Sequence, residues 1–200
     1  MNLEQVRQAY GSVAQRYIEL FGTSAQVHAD DLAFIGRHLS GRAGPVLDLG
    51  CGPGHLTDHL RASGVEATGI DIVPEFIAHA WAAHPGGRYR LGSMAELDDA
   101  DHSVTGILAW GSLIHLPPPD LDAVLVEFRR VVAPGGRLVT ALFVGEEVVA
   151  FDHKVLTAYR WPLDEFSRRL VRAGFTEVER LQRPGEGDRR PHAAVAAAPA

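Results

Sequence analysis

Apolar positions recur at steps of three and four along the start of the chain: Leu3, Val6, Tyr10, Val13, Ala14, Tyr17, Ile18 and Phe21 fall on one helical face. Gly22 is placed to stop that helix and Thr23 or Ser24 to cap a second one, whose buried face is Leu32, Ile35 and Leu39. From Pro45 the pattern changes. "PVLDL" is a short apolar run entering a glycine turn, and "HLTDHLRAS" after it is helical. "EATGIDI" predicts a second strand, and "PEFIAHAWAAH" a helix with Pro74 in its first turn. "RYRLGS" and "VTGILAW" predict strands three and four. "PDLDAVLVEFRRVV" is helical until "APGG" breaks it, and "RLVTALFV" is the fifth strand. The stretch "EEVVAFDHKVLTAYRWP" reads as a helix or a mobile insertion. "LDEFSRRLVRAG" predicts a helix, "FTEVERLQR" a sixth strand, "RPGEGDRRP" a polar turn, and "HAAVAAAPA" a short antiparallel last strand.

Strands alternating with helices imply right-handed parallel crossovers. The expected architecture is α/β: a doubly wound, mostly parallel seven-stranded sheet with helices on both faces, an antiparallel last strand and an N-terminal helical cap. The 200 residues suit one domain, with residues 1–40 as the cap.

Composition narrows the partners. Hydrophobic residues make up 46% and charged residues 22%, with a net charge of −6. That balance argues against nucleic acid, which rewards basic surfaces. No run approaches the roughly 20 apolar residues of a spanning helix, so no membrane partner is expected. Cys51 is the single cysteine and cannot form an intrachain disulfide, and the N-terminus lacks a signal-peptide core. The expectation is a cytoplasmic monomer or homodimer.

The chemistry starts at "VLDLGCGPGHL", Val46 to Leu56. A strand, a glycine-rich turn and a helix open a nucleotide-binding unit, and Gly50 and Gly52 let a ligand approach the backbone. Asp71 ends the next strand about 20 residues on, where a carboxylate grips both hydroxyls of a ribose. A dinucleotide does not fit the rest. The order Gly50-Cys51-Gly52-Pro53-Gly54 departs from G-x-G-x-x-G, and Pro53 removes an N–H donor. Asp48, at the end of the first strand, repels a diphosphate and favours a cation. The ligand expected is a nucleoside with a ribose, no phosphate and a positive charge near the turn. S-adenosyl-L-methionine meets all three conditions.

"VLDLGCGPGHL", "GIDIVPEFIAHA" and "VVAPGGRLVTAL" together resemble the class I S-adenosylmethionine-dependent methyltransferases, in the small-molecule branch without large insertions, over roughly Tyr10 to Phe175. The resemblance implies methyl transfer to an O, N, S or C nucleophile of a small-molecule acceptor. It implies Asp48, Gly50 and Gly52 along the methionine part of the cofactor, Asp71 at the ribose and Ile72 against the adenine. Ser93 and Met94 stand where similar enzymes have a Gly-Asp-Ala segment, so the side-chain contact there is altered, while Met94 flanks the ring or belongs to the core. "AYGSVAQRY" resembles the family's Y-x-x-x-A-x-x-Y segment. Tyr10 and Tyr17 either close over the cofactor or are ordinary core aromatics.

An in-line methyl transfer to a protonated nucleophile needs a base, and histidine suits neutral pH. His115, in "SLIHLP" after the fourth strand, is the first candidate; the competing reading is a histidine that hydrogen-bonds loop backbone. Trp110 stands nearby, as a wall of the site or a core aromatic. Residues 145–162 fall where this family builds an acceptor lid, with His153 as a second candidate base, Tyr159 as a hydroxyl, Arg160 as a cation and Trp161 as an aromatic wall or packing. His55 and His59 lack a third ligand, so no metal is expected. Two rivals remain open: a protein of the same fold that binds the cofactor without methylating, and a nicotinamide oxidoreductase.

Overall fold

The computed structural model describes residues 3–185 and 190–200. Its chain order is α1 (Leu3–Phe21), a 3-10 turn (Ser24–Gln26), α2 (Ala29–Leu39), β1 (Pro45–Leu49), α3 (His55–Ala62), β2 (Glu66–Asp71) and α4 (Pro74–Ala83). It continues with β3 (Tyr89–Leu91), β4 (Val104–Trp110), a 3-10 turn (Leu113–His115), α5 (Pro118–Val131) and β5 (Val132–Val144). The last part is β6 (Val149–Phe151), β7 (Ala158–Trp161), α6 (Leu163–Arg172), β8 (Phe175–Arg183) and β9 (His192–Pro199).

The sheet core is parallel. β1 pairs with β2 and β4, β2 with β3, and β4 with β5. β9 then joins β5 antiparallel, and β8 joins β9 antiparallel. The seven-stranded, doubly wound architecture with a reversed last strand is therefore present. Strand order reverses at β1/β4, the switch point outside which doubly wound sheets bind ligands.

Each sheet face has its own core. On one, Leu121, Val124, Leu125 and Phe128 of α5 pack with Phe166 and Leu170 of α6. On the other, Phe34, Ile35 and Leu39 of α2 pack with Leu56 and Leu60 of α3. α1 lies apart and packs against α4 through Ala14, Val73 and Phe76.

Three local readings change. Residues 145–162 form neither a helix nor an irregular insertion: β6 and β7 make an antiparallel hairpin, and β7 extends β5 through Phe143↔Arg160 and Val144↔Trp161. Strand pairing is a non-local contact, and the short β6 has no period long enough to announce it. "APGG" ends α5 but does not delay the strand. β5 begins at Val132 opposite Val104 and resumes register at Arg137 opposite Gly106, with the glycines bulging between them. The second helix is capped by His28, whose Nδ1 accepts from the Asp30 N–H at 3.2 Å; Thr23 caps the 3-10 turn instead. The polar turn anticipated at 183–191 includes residues 186–189, which lie outside the described residues.

Candidate active site

The glycine turn sits between β1 and α3 and is stitched to β2. Gly50 and Cys51 both donate to the Ile70 carbonyl, at 2.8 and 3.1 Å. Gly50 has φ +74°, and a Cβ there would stand 2.4 Å from that of Ser112, so glycine is required both by the backbone and by the approach of the β4 loop. Ser112 Oγ fastens that loop by donating to the Leu49 carbonyl at 2.7 Å. Gly52 has φ +54°, and the nearest atom to a Cβ added there is 3.8 Å away on Tyr17, leaving the turn open toward the cleft.

Asp71, at the end of β2, holds this turn with both oxygens. Its Oδ2 accepts from the Gly52 N–H at 2.8 Å and its Oδ1 from the Val73 N–H at 2.9 Å. A carboxylate oxygen has a second lone pair, so ribose hydroxyls can still be received. Burial pushes the carboxyl up to about 6 against the pull of these N–H groups. Asp48, at the end of β1, lies deep in the fold. It is 1% exposed, and Thr57 Oγ1 donates to its Oδ2 at 2.6 Å. Burial pushes it up to about 7; the Thr57 hydrogen bond opposes that rise, and the nearby Asp71 adds to it. Neither carboxylate forms an ion pair with a cation among the described residues. Two buried acids without a counter-charge make a site complementary to a positive ligand.

The cleft over the carboxyl ends of the strands has two lobes. The first, of about 800 Å³, is lined by Tyr10, Tyr17, Gly50, Gly52, Asp71, Ile72, Ser93, Met94 and His115 among others. The second, of about 1060 Å³ including open solvent, is lined by Asp48, Asp31, Arg183 and His192 among others. Tyr17, Gly50, Gly52 and Trp110 line both lobes. The structure thus brings all nine cofactor candidates to one cleft. Ser93 turns its hydroxyl to its own loop, where it accepts from the Ala95 N–H at 3.1 Å. Tyr10 and Tyr17 meet edge to face at 5.7 Å, and both pack on Phe76.

His115 lines the first lobe and is 6% exposed. Its Nδ1 lies 2.8 Å from the Thr157 carbonyl, and a carbonyl only accepts, so the proton sits on Nδ1. Nε2 is then a lone pair, and the Tyr10 hydroxyl donates to it at 2.7 Å. The backbone-bonding role and the base-like lone pair coexist in one ring. Burial lowers the His115 pKa against the Thr157 hydrogen bond, which favours the neutral form needed of a base. Burial also pushes the Tyr10 hydroxyl far above its ordinary range, so it stays protonated as a donor.

His153 lies outside both lobes, with its ring 5.7 Å from that of His115. Burial comes first in lowering its pKa, followed by the nearby His115, Arg190 and Lys154. Trp161 is core, 1% exposed, with the Arg169 guanidinium 4.9 Å over its ring. Sequence reasoning missed Thr57 and the Asp31–Arg183 pair. Thr57 had a signal, since it follows Asp48 by nine residues in the first turn of the next helix. Asp31 and Arg183 join α2 to β8 across 152 residues, a pairing no local pattern announces.

Comparison with known proteins adds an independent line. A family model described as a methyltransferase domain matches residues 46–136. The malonyl-[acyl-carrier protein] O-methyltransferase of Erwinia billingiae is 31% identical over 164 residues, covering 82% of this chain and 61% of that protein. The ubiquinone biosynthesis O-methyltransferase of Xanthomonas oryzae pv. oryzae is 25% identical over 185 residues, covering 88% and 74%. The chain spans only 51 to 61% of the length of the two malonyl-[acyl-carrier protein] relatives from Erwinia and Pectobacterium. Among solved structures, the Burkholderia thailandensis 1,6-didemethyltoxoflavin-N1-methyltransferase with bound S-adenosylhomocysteine superposes with a TM-score of 0.81 at 23% identity, covering 98% of this chain and 88% of that one.

Proposed function

Because the chain belongs to the class I S-adenosylmethionine-dependent methyltransferase family, we propose that it transfers a methyl group from S-adenosyl-L-methionine to a nucleophilic atom of a small molecule. The observation that carries this reading is the pair of buried carboxylates, Asp48 and Asp71, with no cation beside either among the described residues. A sulfonium nucleoside with an α-ammonium supplies the missing charge and a ribose diol. When bound, the cofactor supplies an electrophilic methyl and its own leaving group.

The residues of the chain do the rest. Asp71 and the open turn at Gly52 hold the ribose and the methionine part, and Ile72 and Met94 flank the adenine. Tyr10 and Tyr17 close over the cleft and exclude water from it. His115 takes the acceptor proton on Nε2 once the acceptor displaces the Tyr10 hydroxyl from that lone pair, with the Thr157 carbonyl holding the ring in the correct tautomer. His153 lies behind it as a second titratable ring. The partner in this reading is a small metabolite, in keeping with a net charge of −6 and a cleft lined largely by apolar side chains. No helix among the described residues is long and apolar enough to cross a membrane. We place the protein, as monomer or homodimer, in the reducing cytoplasm, where a buried lone cysteine is at home.

The test is thermal unfolding with and without excess S-adenosylhomocysteine, followed by incubation with methyl-labelled S-adenosylmethionine and a panel of acceptors. Saturating ligand raises Tm by mass action, and label enters a small product. A melting temperature indifferent to the ligand overturns the proposal.

A further inference from the structure

The β6–β7 hairpin gathers cations that the methyl-transfer reading does not use. Lys154, the only lysine of the chain, sits in its loop. Arg160 on β7 and Arg190 just ahead of β9 each hold the guanidinium carbon 4.6 Å from the centroid of the Phe151 ring. None of the three forms an ion pair among the described residues. Arginines elsewhere are commonly matched: Arg37 with Glu179, Arg88 with Glu66, Arg130 with Glu127 and Asp101, Arg180 with Glu177. A guanidinium resting on an aromatic face keeps its N–H edges free for a planar or tetrahedral anion.

A second feature ties this patch to the cleft. His153 stands between Phe151, at 6.2 Å ring to ring, and His115, at 5.7 Å. Its Nδ1 is buried and has no hydrogen-bond partner among the described residues. Buried polar nitrogens normally find one, and here a partner arriving with a ligand would supply it. Outward from the base of the cleft the order is His115, His153, Phe151, then the two guanidinium groups. His115 lines the first lobe whereas His153, Phe151 and the two arginines line neither, so an acceptor with its reacting atom in that lobe reaches the arginines by extending past its rim.

We propose that Arg160 and Arg190, with Lys154, form the far end of the acceptor site, and that the acceptor is a small molecule bearing a carboxylate or phosphate group. The inference rests on the methyl-transfer reading for its direction. The hairpin also carries Glu146, Glu147 and Asp152, so the anion is held by the two guanidinium groups stacked on Phe151 rather than by net local charge. Charge-assisted bonds to the anion then fix which end of the acceptor faces His115.

The experiment uses the full chain saturated with S-adenosylhomocysteine and titrated calorimetrically with benzoate, phenyl phosphate and uncharged benzamide. Both anions bind at least tenfold tighter than benzamide, and the tighter of the two tells a carboxylate end from a phosphate end. The double variant Arg160→Gln, Arg190→Gln weakens anion binding tenfold or more while S-adenosylhomocysteine affinity stays within twofold. Arg160→Lys with Arg190→Lys restores most of the anion affinity, which a merely structural role in the hairpin would not do. Benzamide binding as well as the anions, or anion affinity untouched in the glutamine variant, overturns the proposal. Wild-type protein that ignores S-adenosylhomocysteine sinks the methyl-transfer reading instead, and the anion titrations without it still decide the patch.

Discussion

Asp48 and Asp71 are both buried at the same turn, yet they hold their charge at different cost. Asp71 has two backbone donors, whereas Asp48 is held, among the described residues, by Thr57 alone, through its hydroxyl and its backbone N–H, and stands near Asp71. A carboxyl raised in the folded chain stabilises it fully below the unfolded value, and that stability is lost as pH rises through the folded value. For Asp48 the window runs from its ordinary 3.8 to about 7. The ligand-free protein should therefore lose stability from this group between pH 4 and 7. A cationic ligand drives the acid ionised, so S-adenosylmethionine affinity should rise over the same window and level off above about 7. Asp48→Asn should flatten both trends and weaken binding roughly tenfold or more at pH 8; calorimetry from pH 5.5 to 8.5 checks this, and an unchanged slope in the variant would remove Asp48 from the account. His115→Gln should lower methyl transfer by about 10²–10⁴-fold, the range of a lost general base, with S-adenosylhomocysteine affinity changed only a few-fold.

Two elements meet on the His115 ring: α1 through the Tyr10 hydroxyl and the β6–β7 hairpin through the Thr157 carbonyl. Tyr10 donates to the neutral ring and so favours it, holding the pKa down. Tyr10→Phe should raise the His115 pKa by about half a unit to one unit, the worth of one hydrogen bond. The acid limb of the rate–pH profile should move up by that amount, and a limb that stays put would show the contact to be structural only. At this scale the sequence was partly legible. Helical stripes located α1, α5 and α6 because periodicity is local. The hairpin was not legible because β7 is defined by its pairing with Phe143 and Val144, a contact made across the chain. The cap of α2 went to His28 rather than Thr23 or Ser24, because the 3-10 turn consumed three residues that a helix count assigns elsewhere.

For the whole molecule, the low-information tail proves central. β9 runs between β5 and β8, and Ala193 through Ala197 are 1% exposed or less. Ala196 faces the core shared with α2 and α3, where its small side chain lets those helices approach the sheet, so enlarging it overpacks that layer. Ala196→Leu should destabilise the protein by about 1–3 kcal/mol, read by chemical denaturation. Deletion of residues 192–200 should abolish cooperative unfolding altogether, since it opens both β5 and β8; a deletion variant with an unchanged transition would contradict this placement.

The sequence alone determined the strand–helix alternation, the glycine turn and the two carboxylates one strand apart, because periodicity, turn chemistry and spacing are properties of neighbouring residues. Tertiary structure decided which groups face one another: Thr57 on Asp48, Tyr10 and Thr157 on the two nitrogens of His115, and Arg160 with Arg190 on Phe151. It also decided the depth of Asp48, because burial depends on everything packed around a group, and no stretch of chain carries that information by itself.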